Sequence, residues 1–140
     1  MADDLELFNA LTEDTRKRAD SLAKAVFVLS GGALTVSIGI FTSQTAPTLT
    51  SVLLDVLKWG WVALFLAIIS LVLCLLTIIW RDYSFAERWR KKLDGEDLDT
   101  SGTPGIADTL IWGLGVLGIA AFVTGMFCLA YVSVGVIEIA

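Results

Sequence analysis

Three long stretches without a charged residue govern what this chain can become: Ala25–Thr42, Trp59–Trp80 and Thr109–Ile137, of 18, 22 and 29 residues. At ~1.5 Å of helix per residue, the first just crosses a hydrocarbon core ~30 Å thick, and the others cross it with length to spare. A lone strand or loop would leave its backbone polar groups unpaired in lipid, so runs of this kind are expected to be helical. The expected fold is therefore all-α, an integral membrane protein with three transmembrane helices at about 25–43, 57–80 and 108–135. Composition agrees, since 56% of the 140 residues are hydrophobic, against ~45–50% for an ordinary soluble domain. Trp59 and Trp61 stand at one end of the second run and Trp80 at the other, as aromatic belts do. The third run is overlong for a perpendicular crossing, so it is expected to tilt, protrude or break at a glycine.

Direction follows from the basic residues. Arg16, Lys17, Arg18 and Lys24 precede the first run, and Arg81, Arg88, Arg90, Lys91 and Lys92 follow the second. Only Lys58 falls on the other side. The positive-inside rule counts Lys and Arg rather than net charge, so it predicts a cytoplasmic N-terminus and a cytoplasmic 81–107 connection, with the C-terminus outside. The basic flank before Ala25 also suits a signal peptide. The segment ahead of it is long and acidic, however, and Pro47 follows the only small-residue site, so retention is expected.

Residues 1–24 read as a cytoplasmic helix continuous with the first span, ahead of a membrane domain over 25–140. Asp3 and Glu6 have the spacing of a capping box. Leu5, Phe8, Thr12, Thr15, Ala19, Leu22, Val26 and Leu29 then recur at helical steps, giving one moderately apolar stripe. That stripe could pack on the chain's own 81–108 segment or on neighbouring subunits. A helix lying flat on the bilayer fits less well, because its polar face mixes Asp14 and Asp20 with the bases. After the second run, RDYSFAERWRKK is basic and aromatic and should prolong that helix, with Phe85 and Trp89 near the headgroups. Arg88, Arg90, Lys91 and Lys92 are candidate contacts to lipid headgroups. Residues 93–105 are acidic and rich in turn formers, and they do not match a calcium loop, whose glycine and terminal glutamate are misplaced. On the outer side, the second helix is expected to begin near Thr50 or Ser51.

Small residues pattern the spans. In the second, Gly60, Ala63, Ala67, Ser70, Cys74 and Thr77 recur at steps of 3 and 4. In lipid there is no hydrophobic drive between helices, so close approach along small residues is what packs them. In the third, Gly118, Ala121, Gly125 and Cys128 share a face. The first span carries Gly31, Thr35 and Gly39 at steps of four, widened by Gly32 and Thr42, while Ser30 and Ser37 lie on another side. Two readings of Ser30, Gly31, Thr35, Ser37, Gly39 and Thr42 stand side by side. They pack the first helix between its neighbours, or some of them line a water-filled path in an oligomer, for which a weakly polar lining is physically adequate.

The absences exclude whole classes. No span has an ionisable group at its middle, which proton-coupled pumps and transporters need. There is no histidine, no phosphate-binding loop and no nucleophile–base pair, so no enzyme, no catalytic residue, no metal site and no cofactor are expected. Cys74 and Cys128 fall in apolar runs as small packing residues. A net charge of −5 argues against direct nucleic-acid binding. Glu138, Asp55 and Asp108 read as helix-end residues near an interface.

The segment AKAVFVLSGGALTVSIGIF, Lys24 to Phe41 apart from its leading alanine, resembles the first helix of small bacterial multi-span inner-membrane proteins with an LSGGAL core. Some of those are membrane effectors of anti-phage defence, which permeabilise or depolarise the inner membrane. The resemblance implies a helix-packing position for Ser30, Gly31 and Gly32. It carries over no catalytic residue. Many such effectors have a sensor domain, so here a separate sensor or regulatory protein is expected. The leading expectation is a homo-oligomeric protein of the bacterial inner membrane that forms an ion-conducting pore or perturbs the membrane. The alternatives are a non-catalytic structural or accessory subunit of a larger membrane complex, and a small-molecule- or lipid-binding membrane protein.

Overall fold

A computed structural model describes residues 2–95 and 105–139. They form three helices, α1 (Ala2–Phe41), α2 (Ser51–Leu93) and α3 (Ile106–Ile139), and no strand. All three are long and apolar enough to cross a membrane. At ~1.5 Å per residue, the 40, 43 and 34 residues of α1, α2 and α3 extend about 60, 65 and 51 Å, so each exceeds a ~30 Å hydrocarbon core.

The helix ends are set by local chemistry. α1 already includes Asp3, so it starts ahead of the Asp3–Glu6 spacing that suggests a capping box. It runs through residue 24 into the first apolar run without interruption. At its other end no glycine or base receives the last carbonyls. Backbone N–H groups and hydroxyls of the next residues do so: the Ile38 carbonyl accepts from Thr42 N at 2.9 Å and Thr42 Oγ1 at 2.7 Å, and that of Ile40 from Ser43 N at 3.4 Å and Ser43 Oγ at 2.9 Å. Thr50 is the N-cap of α2, extended at φ −66° and ψ 157°, with its hydroxyl accepting from Leu53 N. At the far end of α2, Arg90, Lys91 and Lys92 face the negative end of the helix dipole. Asp94 closes the helix, and Gly95 at φ +94° turns the chain away. The connection expected over 81–107 is thus mostly helical, and only 94–105 lies between α2 and α3. Glu96, Asp97 and Asp99 of the acidic stretch lie outside the described residues. The overlong third run does not break, since α3 is one helix through all its glycines.

α2 and α3 form an antiparallel pair, and α1 packs on α2 with only a light touch on α3. The α2–α3 contact is built from large side chains seated on small residues. Cβ atoms added at Gly135, Gly125 and Gly118 would meet Leu53, Leu64 and Leu71 respectively. One at Gly60 would stand 2.9 Å from Cys128 Cβ, and one at Gly125 would also stand 3.1 Å from the Gly60 carbonyl oxygen. The two backbones therefore nearly touch at Gly60 and Gly125. On α2 the buried positions Leu53, Leu57, Gly60, Leu64, Ala67 and Leu71 recur at steps of 4, 3, 4, 3 and 4, the repeat of a coiled-coil seam. Elsewhere the apolar side chains point outward: no more than 22% of any span's most apolar 18-residue window is buried. Phe65, Leu76, Trp112, Val116 and Phe127 are all exposed. Such a surface suits an apolar solvent rather than water.

The close approach sets a testable asymmetry among the glycines. Gly125→Ala places a methyl against backbone and should destabilise the protein by about 1–3 kcal/mol. Gly113→Ala points into open space and should stay within roughly 0.5 kcal/mol of wild type. Thermal unfolding of both variants in one detergent checks this, and equal midpoints would contradict the contact.

Candidate functional site

The six small or hydroxyl residues singled out on α1 separate onto two sides of the helix. Ser30 and Ser37 are buried, together with Val26, on the side that meets α2. Thr35, Gly39 and Thr42 are exposed and Gly31 is half-buried. At 100° per residue these four share the opposite flank. A Cβ added at Gly31, Gly32 or Gly39 would meet nothing within 4 Å. Among the described residues, this flank is therefore a shallow trough of small groups open to its surroundings.

Hydroxyls on the open flank are satisfied by their own helix. Thr35 Oγ1 donates to the Gly31 carbonyl at 2.8 Å, and Thr42 Oγ1 to that of Ile38. Such back-bonding lets a threonine face lipid without water. On the packed flank, Ser37 Oγ donates to the Leu34 carbonyl at 3.1 Å and accepts the Trp61 indole N–H at 2.9 Å. Trp61 is therefore half-buried and bonded to α1, whereas Trp59 is exposed. Ser30 Oγ is fully buried and has no partner. A crevice beside this contact is lined by Ala23, Lys24, Phe27, Leu71, Val72 and Leu75, among others.

The small-residue stripe on α2 also divides. Gly60 and Ala67 contact α3, and Cys74 Sγ lies 3.5 Å from the Ile111 carbonyl of α3 as a weak donor. Ala63, Ser70 and Thr77 lie on one edge of that stripe: Ser70 is buried, the other two half-buried. Thr77 bonds the Leu73 carbonyl of its own helix. On α3, Gly118, Ala121 and Gly125 are buried.

No protein family, no characterised protein and no solved structure matches this chain.

Beyond the apolar runs, the end of α2 carries a basic cluster. Arg88, Arg90, Lys91 and Lys92 occupy its last turns and are exposed. Arg90 pairs with Glu87 at 2.9 Å. Lys92 Nζ lies 6.0 Å from the Trp89 ring, which in turn meets Phe85 edge-on at 6.3 Å. This gives a basic, aromatic end suited to an anionic, amphipathic surface.

Two contacts escape sequence reading. Arg81 Nη1 donates to Asp108 Oδ1 at 2.8 Å, tying the end of the second apolar run to the start of the third. The available signal is positional: opposite charges flank the facing ends of two antiparallel runs. The other is the Trp61–Ser37 bond, whose partners are 24 residues apart in the chain. Nothing in either residue's neighbours marks it.

The indole–hydroxyl bond is measurable. A double-mutant cycle of Trp61→Phe and Ser37→Ala should give a coupling of about 0.6 kcal/mol, the mean for such bonds in membrane helices. Additive losses in unfolding free energy would show that the bond holds nothing.

Proposed function

We propose that this chain is a homo-oligomeric protein of the bacterial inner membrane whose assembled form conducts ions or perturbs the membrane. The observation that carries this reading is the open flank of α1, formed by Gly31, Thr35, Gly39 and Thr42. A flank meant only for lipid gains from large apolar side chains. α3 supplies them at Val116, Ile119 and Phe127. Glycine and threonine there expose backbone and hydroxyl instead, which favours another helix or water as the neighbour. Copies arranged with this flank toward a common axis would enclose a weakly polar, uncharged path.

The placement of nine of the ten Lys/Arg supports a cytoplasmic N-terminus and 81–107 segment, and an outward C-terminus. The basic end of α2 would then meet anionic lipid on the cytoplasmic leaflet, each base contributing ~1 kcal/mol. The LSGGAL resemblance supports a role as a membrane effector of anti-phage defence. In that role a separate sensor or regulatory protein supplies the trigger.

Reconstitution tests this directly. Purified protein in liposomes should release an entrapped ion under an imposed potential. Gly39→Leu, which fills the open flank without touching the rest of the chain, should cut that flux by about tenfold. Gly113→Leu, on an open part of α3, should not. A tight vesicle with wild-type protein, together with copurification of a different chain, would instead assign an accessory subunit.

A further inference from the structure

The two sides of the α1–α2 contact disagree about where the membrane begins. α2 stays free of charge from Trp59 to Trp80 and first meets a base at Arg81, where the Arg81–Asp108 pair joins it to α3. α1 meets its first charge sooner. The Trp61–Ser37 bond aligns the two antiparallel helices. Equal rises from it bring Lys24 level with residue 74 and Asp20 level with residue 78. Lys24 therefore stands ~10 Å inside Arg81 along the helix axis. The crevice beside the contact agrees with that alignment, since Asp20 and Lys24 line it together with Leu71, Val72 and Leu75.

No flat bilayer surface satisfies both helices. A surface at the level of Arg81 buries the charges of Asp20 and Lys24 in hydrocarbon, which is costly unless headgroups or water reach them. A surface at the level of Lys24 strips lipid from Leu75, Leu76, Ile79 and Trp80, all of them exposed. At this mismatch the two charges stand side by side. Lys24 Nζ lies 2.6 Å from Asp20 Oδ2, and both side chains are more than half exposed. The ammonium has three donors, of which Asp20 takes one, and the carboxylate keeps lone pairs to spare. The crevice thus offers one base and one acid at its mouth, above an apolar floor.

We propose that this crevice holds a zwitterionic aminophospholipid at a step in the bilayer surface, its phosphate on Lys24, its ammonium on Asp20 and one acyl chain along Phe27, Val28, Leu71 and Val72. Charge decides the headgroup. A base and an acid of zero net charge are complemented by one phosphate and one ammonium, whereas an anionic headgroup sets its charge against Asp20. A primary ammonium also donates to the carboxylate, and a quaternary one has no N–H to give. Depth decides the tail. Phe27, Val28, Leu71 and Val72 line the crevice farther from Arg81 than Lys24 does, so a chain hanging from the headgroup passes over them. The site needs only that the helices cross a bilayer, so it goes beyond the oligomer and pore proposed above and does not rest on them.

Native mass spectrometry of the purified full chain, titrated with phosphatidylethanolamine, phosphatidylcholine and phosphatidylglycerol, tests the headgroup. The ethanolamine lipid should bind about fivefold more tightly than either of the others. Lys24→Leu should weaken it by about fivefold, and Asp20→Asn should abolish its preference over phosphatidylglycerol. Lys58→Leu, at the opposite end of α2, should change neither. Cysteine labelling in vesicles tests the step without touching either charge. In a Cys74→Ala/Cys128→Ala background, a water-soluble maleimide should modify Leu75→Cys about tenfold faster than Leu76→Cys. Residue 76 lies nearer Arg81 and is exposed, but it stands outside the crevice. The site is overturned if the three lipids bind equally, if Lys24→Leu leaves ethanolamine-lipid binding unchanged, or if positions 75 and 76 label at one rate. Ion flux separates this site from the pore. Vesicles that stay tight while Leu75→Cys labels fast keep the lipid site and sink the pore, and leaking vesicles with equal labelling do the reverse.

Discussion

The near-contact of backbones at Gly60 and Gly125 is the constraint on which the rest of the structure depends. Two helices in lipid gain nothing by hiding apolar surface from each other, because lipid tails are equally apolar. What remains is dispersion and hydrogen bonding, and dispersion falls steeply with distance. Glycines remove the side chains that would hold the axes apart. Leu64 then seats on Gly125, Leu71 on Gly118 and Leu53 on Gly135. These contacts fix one register along the pair. The same register places Arg81 within 2.8 Å of Asp108 where the apolar runs end. The ion pair is about one-third exposed on the Arg81 side, so it is a modest lock on an alignment set elsewhere.

The existence and extent of the three apolar helices are legible because charge is so costly in hydrocarbon that its absence over 18 or more residues has few other meanings. Their ends are legible for local reasons, as Thr50 and the Arg90–Lys92 cluster illustrate. Partner faces are a different matter. Grouping α2 by small size joins Gly60, Ala67 and Cys74, which contact α3, with Ala63, Ser70 and Thr77, which lie to one side of them. It also passes over Leu53, Leu57, Leu64 and Leu71, which supply four of the six seam positions. Leucine is equally at home against lipid and in a hole on another helix, so hydrophobicity does not separate the two uses. α3 is apolar around its whole circumference, and only its small residues tell its packed side from the others. Trp61 fits an aromatic belt by position, yet its indole N–H is committed to Ser37. A long-range pair of this kind leaves no periodic trace in a single sequence.

The hydroxyls teach a related lesson about polarity in spans. Thr35, Thr42, Thr77, Thr124 and Ser133 all donate to carbonyls of their own helices at 2.7–2.8 Å. Each is self-sufficient, so none by itself demands water or a partner. Counting hydroxyls therefore overstates how polar α1 is. What sets its open flank apart is the glycines, since lipid, water or a second helix can reach the backbone there. Ser30 is the reverse case, buried at the α1–α2 contact with its hydroxyl unpartnered. An unsatisfied group is a cost that a tight interface rarely tolerates. It marks α1–α2 as the looser of the two main contacts.

That looseness bears on where α1 comes to rest. α2 and α3 are joined along nearly the full length of the spans, from Leu53–Gly135 to Arg81–Asp108. α1 is held by a short buried row, Val26, Ser30 and Ser37, and by one indole bond. A hydrogen bond of that kind contributes only ~0.6 kcal/mol between membrane helices. Meanwhile α1 offers two uncovered surfaces, the glycine flank within the apolar run and the apolar, acidic half beyond it. The α2–α3 pair is therefore the fixed frame, and α1 is the more lightly held of the three helices.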